Sequence, residues 1–173
     1  MVTDLTHDDA RRAEIAESYQ QVRNRLAQAC VAAGRDPGEV TLLAVTKRFP
    51  ASDARILHDL GCREFGESRE QEASGKIAEF LHGLNDSGVD AANDDSRGGE
   101  QDPLAIESLD QLGVRFHMIG SMQRNKARAV LGWASTIHSV DSARLVNALG
   151  KAAVVAAEQG RQQPLEVLLQ VSL

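Results

Sequence analysis

The sequence predicts an α/β protein of the parallel (β/α)8 TIM-barrel type, with about five strands present in its 173 residues. Apolar runs alternate with segments of helical periodicity, which is typical of parallel strands joined by helical crossovers. Aromatic residues make up only 3% of the chain, so its core must be built mainly from aliphatic side chains, as in buried parallel strands. The competing architecture is an open doubly wound sheet. It is disfavoured because VTKRFPAS, after the first strand, lacks the glycines of a dinucleotide-binding turn.

The first predicted element is a helix over about 8–33. Gly34 and Pro37 end it, because glycine favours the C-terminal cap of a helix and proline prevents the helix from restarting. Its apolar residues recur every three or four positions, and this spacing predicts one buried stripe. The stripe consists of Ile15, Tyr19, Val22, Leu26 and Cys30.

The remaining elements form strand–helix pairs. The apolar runs predict strands over 40–46, 62–67, 114–120, 136–141 and 165–173. Helical periodicity predicts helices over 52–60, 69–81, 122–132 and 142–159. The last apolar run ends at Leu173 without a following helix or polar cap. We therefore expect one domain over 1–173 that contains only part of an eight-stranded barrel.

One segment does not fit this alternation. Residues 82–103 are rich in Gly, Asp, Asn and Ser and have no hydrophobic period. Six acidic residues and one arginine give the segment a net charge of −5, most of the −6 carried by the whole chain. Such a composition buries too little apolar area to offset chain entropy, so it predicts a disordered acidic insertion loop.

Composition limits the functional classes. No concentrated basic face is present, so nucleic acid is not an expected partner. No apolar run approaches the length of a membrane span, and the polar N-terminus resembles neither a secretory signal nor a transit peptide. Cys30 and Cys62 lie in apolar-patterned segments, as expected for reduced core thiols in a cytoplasmic protein.

Lys47 has the most unusual setting among the polar residues. It follows the apolar run Leu42–Val45 almost directly, and functional groups collect at the carboxyl ends of parallel strands. A lysine placed among apolar side chains loses its proton more easily, and the neutral amine forms a Schiff base with an aldehyde such as pyridoxal phosphate. Alternatively, Lys47 is a strand-terminal lysine that extends into solvent.

Other strand ends offer weaker candidates. His117 lies within a predicted strand, where it is either a proton-transfer group or a core histidine. Ser68 and Ser139 follow or lie near the ends of their strands. A basic stretch, Arg124 to Arg128, is either a phosphate-binding helix start or an ordinary basic helix face.

Four segments, taken in order and spacing, are similar to the pyridoxal phosphate homeostasis proteins, relatives of the N-terminal barrel of alanine racemase. They are LLAVTKRFPAS, CREFGESREQEA, VRFHMIGSMQRNKARAV and IHSVDSARLVNAL. LEVLLQVSL resembles the strand that follows. The resemblance extends over about 40–173, apart from the acidic insertion.

The resemblance implies that Lys47 holds pyridoxal 5'-phosphate as a Schiff base. It also implies a role for Ser68, His117 and Ser139 in cofactor binding. Ser68 stands where the family usually has asparagine, and Arg69 often corresponds to a tyrosine. The family continues beyond this chain, and the further part should contain the phosphate-gripping loops and the arginine that faces the pyridine nitrogen.

Members of the family are regarded as non-enzymatic. They bind and buffer the cofactor and are thought to pass it to pyridoxal-dependent apoenzymes. A racemase-like enzyme is the first alternative. It would need acid–base groups on both faces of its substrate, and the chain's single tyrosine is Tyr19 in the first helix. The second alternative is a truncated fragment that cannot hold the cofactor.

Overall fold

The structure, a computed structural model, describes residues 3–85 and 105–171, with side chains over 8–84 and 105–171. The helices are α1 (Thr3–Ala32), α2 (Ala51–Asp59), α3 (Glu70–Asn85), α4 (Ala105–Gln111), α5 (Ala127–Leu131) and α6 (Ala143–Glu158). The strands are β1 (Leu43–Val45), β2 (Glu64–Glu67), β3 (Arg115–Met118), β4 (Ala134–Val140) and β5 (Glu166–Leu169). Short 3-10 turns cover Pro37–Glu39 and Arg124–Lys126.

All five strands are parallel and belong to one sheet in the order β1-β2-β3-β4-β5. A doubly wound sheet reverses its strand order at a switch point, whereas a barrel adds each strand beside the previous one. The sequential order therefore confirms the predicted barrel-type α/β fold. Within the described residues the sheet is not closed, so β1 and β5 form its two edges.

The apolar core lies between the sheet and its helices. Phe65 of β2 stacks on Phe116 of β3, with ring centroids 5.2 Å apart. Phe80 of α3 packs edge-on against Phe116 at 5.6 Å, and all three rings are fully buried. Three of the chain's four phenylalanines thus form one cluster that joins two strands to a helix. The predicted thiols Cys30 and Cys62 are free and buried, as expected.

Several predicted boundaries were wrong. Helix α4 was missed, although Ile106 and Leu109 are buried at helical spacing and Gly113, at φ 62°, follows the helix. The predicted helix over 122–132 is instead a 3-10 turn followed by the five-residue α5. Strand β1 has only three residues, and β5 only four. Each edge strand has a single neighbour, so fewer backbone hydrogen bonds define it than the apolar runs suggested.

The predicted insertion is shorter at its start, because α3 continues to Asn85 instead of ending near Leu81. The remainder of that prediction, 86–103, lies outside the described residues. The apolar stripe of α1 is only partly buried, since Val22 is 43% exposed. In the described part of the chain, no helix combines the length and apolarity needed to cross a bilayer.

Candidate functional site

Lys47 lies just beyond the carboxyl end of β1, in a tight turn. The backbone N–H of Phe49 donates to the carbonyl of Thr46 at 2.9 Å, so Lys47 occupies the second position of a four-residue turn. Its side chain is exposed, and within the described residues it makes no hydrogen bond or ion pair. The amine is therefore accessible to a small molecule at the edge of the sheet where β1 ends.

A buried ion pair lies directly behind this turn. Glu67, at the end of β2, is 1% exposed and pairs with Lys76 of α3 at 2.8 Å. The hydroxyl of Thr46 donates to the same Glu67 oxygen at 2.7 Å. The Lys76 ammonium also donates to the Thr46 carbonyl at 2.6 Å. The end of β1 is thus attached to β2 and α3 by charge-assisted hydrogen bonds.

The ends of β2, β3 and β4 meet closely at Gly120. A Cβ atom at this position would lie 2.2 Å from the carbonyl oxygen of Ser68, so only glycine fits. The hydroxyl of Ser139 donates to the Gly120 carbonyl at 2.5 Å. Two of the predicted site residues, Ser68 and Ser139, are therefore joined through one glycine that the sequence did not single out as essential.

A second glycine, Gly66, allows neighbouring side chains to approach closely on the sheet face opposite the helices. A Cβ atom there would come within 3.2 Å of Ile119 and 3.6 Å of Val45. Gly66 pairs with Val45 on one side and with His117 on the other. The side chains of Ile119 and Val45 therefore occupy the space beside Gly66, next to the end of β1.

His117 takes part in a chain of polar contacts on the same face. Its Nε2 lies 2.5 Å from Glu64 Oε2, and its Nδ1 lies 2.9 Å from His138 Nε2. Burial, and then the neighbouring His117, lower the pKa of His138 below its ordinary value. With His138 neutral, either His117 is neutral and accepts from His138, or it is protonated and donates to both neighbours.

Arg115 connects this polar chain to β5. Its guanidinium donates to Glu166 at 2.5 Å and to Thr136 at 3.2 Å. The hydrogen bond from Arg115 lowers the pKa of Glu166. Glu64 also lies 3.9 Å from the Arg115 Nε. The opposite face of the sheet therefore carries acids, bases and hydroxyls where the helix face carries phenylalanines.

The predicted basic phosphate site is partly engaged in other contacts. Lys126 pairs with Glu70 of α3 at 3.2 Å, beside the cavity that Ser68 lines. Arg124 lines a separate cavity together with Arg144, at the start of α6. In the described part of the chain, no cluster of His, Cys, Asp or Glu has the arrangement of a metal site.

The four predicted site residues occupy three places. Ser68 and Ser139 share the corner at Gly120, His117 lies in the polar chain, and Lys47 stands at the end of β1. Sequence reasoning assigned no role to Thr46, Lys76 or Glu64. Thr46 is the one signal that was available, because a hydroxyl at the end of an apolar strand must find a partner when it is buried.

Together, the sequential parallel sheet and the accessible strand-end lysine define a barrel-type α/β protein with a candidate aldehyde-binding site. Sequence comparison identifies its relatives. The chain is 47% identical, over all of its length, to the pyridoxal phosphate homeostasis protein of Mycobacterium tuberculosis H37Rv. It is 31% identical over 92% of its length to the protein of that name from Escherichia coli K12. The resemblance to this family is thereby confirmed.

The chain spans about 60% of the length of the mycobacterial relatives and 55% of the Escherichia coli protein. No protein-family profile matches it. Two solved structures resemble the fold. An unknown protein from Bifidobacterium adolescentis matches 92% of the chain with a TM-score of 0.67 and 29% identity. PipY of Synechococcus elongatus with pyridoxal phosphate bound matches 92% with a TM-score of 0.55 and 31% identity; the chain covers 61% and 55% of these two structures.

Proposed function

We propose that this protein binds pyridoxal 5'-phosphate in the cytoplasm, as a Schiff base on Lys47, and takes part in cofactor homeostasis. The observation that carries the proposal is the position of Lys47, an accessible amine at the carboxyl end of β1 in a chain 47% identical to named homeostasis proteins. PipY, at 31% identity, was solved with the cofactor bound.

The residues present fit such a ligand. The cofactor supplies an electrophilic aldehyde carbon, which condenses with a neutral lysine amine and releases water. The Lys47 amine has no competing ion pair among the described residues, so it is available for this condensation. The corner where Ser68 and Ser139 meet at Gly120 brings two serine hydroxyl groups to the strand ends. These groups would orient the ring and its substituents.

A non-enzymatic carrier fits the described residues better than a racemase. Racemisation needs acid–base groups on both faces of the substrate. Tyr19, the chain's single tyrosine, packs against the apolar core from α1, and burial raises the pKa of its hydroxyl. Its hydroxyl therefore stays protonated near neutral pH and is poorly suited to remove a proton from a substrate. We propose that the protein stores the cofactor and passes it to apoenzymes, as part of a single barrel domain over 1–173.

The proposal is tested by mixing the purified protein with pyridoxal phosphate and recording the visible absorption band of the conjugated imine. Borohydride reduction followed by peptide mapping identifies the modified lysine. We expect the label on Lys47 and loss of the band in Lys47→Ala. Lys151→Ala is the matched control, because Lys151 is an exposed lysine of α6 and should leave the band unchanged.

A thermal melt separates the carrier from an inactive fragment. A ligand that binds only the folded state raises the melting temperature as its concentration rises. We expect a cofactor-dependent increase for the wild type and none for Lys47→Ala. An unchanged absorption band in Lys47→Ala would refute the assignment of the Schiff base. Absence of both the band and the shift in the wild type would support the fragment alternative.

A further inference from the structure

Thr46, the residue before Lys47, is more buried than the residues on either side of it. Thr46 is 3% exposed, and it is the only buried residue between Thr41 and Pro50. Strand β1 is a three-residue edge strand, in which Val45 is 47% exposed. Phe49, at the end of the turn, is 49% exposed. The turn that carries Lys47 is thus anchored through Thr46 on the β1 side and through the buried Ala51 on the α2 side.

Four hydrogen bonds converge on Thr46. Its N–H donates to the carbonyl of Gly66 at 3.1 Å, and its hydroxyl donates to Glu67 at 2.7 Å. Its carbonyl oxygen accepts from the Phe49 N–H at 2.9 Å and from the Lys76 ammonium at 2.6 Å. That carbonyl belongs to the peptide bond between Thr46 and Lys47. The orientation of this peptide plane is therefore set by α3 and β2 as well as by β1.

Stability alone does not account for the ion pair that makes these bonds. Glu67 and Lys76 are 1% and 11% exposed, so both charges have lost most of their hydration. The cost of removing two charges from water often matches or exceeds their mutual attraction, and apolar side chains in such places are commonly as stabilising. The surrounding helix-side layer is in fact apolar, with Phe65 and Ile77 fully buried. What the pair adds is a fixed direction for the Thr46 carbonyl.

We propose that Lys76 and Glu67 are positioning residues, which hold the turn so that Lys47 is presented to the cofactor. The inference rests on the proposed function, because it assigns a purpose to the orientation of Lys47. Lys76 fixes the acceptor oxygen of the turn, and Glu67 holds both the Lys76 ammonium and the Thr46 hydroxyl. Both side chains are largely buried behind the turn, so they act on Lys47 through Thr46. A released turn would place the amine correctly for only part of the time, and condensation would slow.

The test compares the wild type with the double variant Glu67→Gln/Lys76→Met. Changing both residues avoids an unpaired buried charge, and the glutamine oxygen can still accept from Thr46. Thr46→Val and Thr46→Ser provide a second, milder pair, which removes or keeps a single hydroxyl. Arg12→Gln/Asp59→Asn is the control, because it removes an exposed ion pair between α1 and α2 that has no contact with the turn.

Two quantities are measured for each variant, together with its melting temperature. The first is hydrogen exchange at the Phe49 amide without cofactor, and the second is the rate of Schiff-base formation with pyridoxal phosphate. For the double variant we expect each to change by about tenfold, the size expected for loss of a hydrogen bond to a charged group, with faster exchange and slower condensation. Thr46→Val should show smaller changes in the same direction. Thr46→Ser and the control should resemble the wild type.

The outcomes separate the two proposals. If the double variant melts at a lower temperature but keeps wild-type exchange at Phe49 and wild-type condensation, the pair is purely structural and the inference is wrong. If the double variant fails to fold, Thr46→Val decides by the same two measurements. Suppose that neither the wild type nor any variant forms a Schiff base, while the Phe49 amide exchanges faster in the double variant than in the wild type. The turn is then held as described, but the proposed function fails.

Discussion

The two faces of the same sheet differ sharply in chemistry. Phe65 and Phe116 point to the helices and are fully buried, whereas the adjacent residues Glu64 and His117 point to the opposite face and bond to each other. Side chains alternate along a strand, so neighbours in sequence experience different surroundings. The helix face is held by apolar packing, and the opposite face is held by hydrogen bonds and ion pairs.

Phe116 and His117, neighbours on β3, should show the largest difference in stability between the two faces. Phe116→Ala should lower the free energy of unfolding by about 3–5 kcal/mol, because it removes a ring packed against two others. His117→Ala should cost about 1–3 kcal/mol, since Glu64 and His138 lose a partner but keep some access to water. Urea unfolding measures both. Equal losses would show that the two faces contribute alike to stability.

Two glycines, one at a strand end and one in a helix, should respond in opposite ways to an added methyl group. Gly120→Ala should destabilise the protein by about 1–3 kcal/mol, because its Cβ would collide with the Ser68 carbonyl and push apart β2 and β3. Gly75→Ala on α3 meets no atom within 4 Å and should stabilise by about 0.5–1 kcal/mol. Chemical unfolding of the two variants side by side gives the difference. A neutral Gly120→Ala would contradict the close approach.

The smallest expected effect depends on pH and involves one histidine from each face. Burial lowers the pKa of His58, which packs against Phe80, and that of His138, on the polar face. Below the ordinary value of 6.5 the unfolded chain takes up these protons before the folded protein does, so stability is lost as the pH falls. Above that value, both states are neutral at these groups and the stability is fully retained.

Melting temperatures recorded at stepwise pH values between neutral and mildly acidic conditions test this expectation. His138→Asn and His58→Asn should each flatten the acid-side decrease, because each removes one group that resists protonation in the folded state. The double variant should flatten it further. A steeper decrease in His138→Asn would mean that the folded protein holds that proton more tightly than the unfolded chain, contrary to the direction of the pKa.

Most of the fold could be predicted from periodicity. The alternation of apolar runs and helical segments predicted the strands and the parallel sheet, because both depend on local patterns. The wrongly predicted elements also have local causes. Helix α4 follows a segment without periodicity, and its seven residues are too few to show a helical period by themselves. The region 122–132 carries helix-forming residues, but Arg124–Lys126 adopts a tighter 3-10 turn before α5 begins.

The candidate site was only partly predictable. Lys47 stood out because a charge follows an apolar run, and its assigned role remains a proposal. Lys76 carried no signal, because a lysine in an amphipathic helix is ordinarily a solvated residue. Its contact with Thr46 joins positions thirty residues apart, and no local pattern reports such a pair. Glu64 and His138 likewise become partners of His117 only when β2, β3 and β4 lie side by side.

Local sequence patterns set which segments become strands and helices, which face of each strand is apolar, and that a lysine follows the first strand. These properties depend on the periods of the helix and the strand and on residues close together in the chain. Only the folded arrangement brings Glu67 and Lys76 into hydrogen bonds with Thr46, in the turn that contains Lys47, and brings Gly120 so close to Ser68 that it must lack a side chain. Those facts arise from contacts between distant segments, whose distances are set only when the sheet assembles.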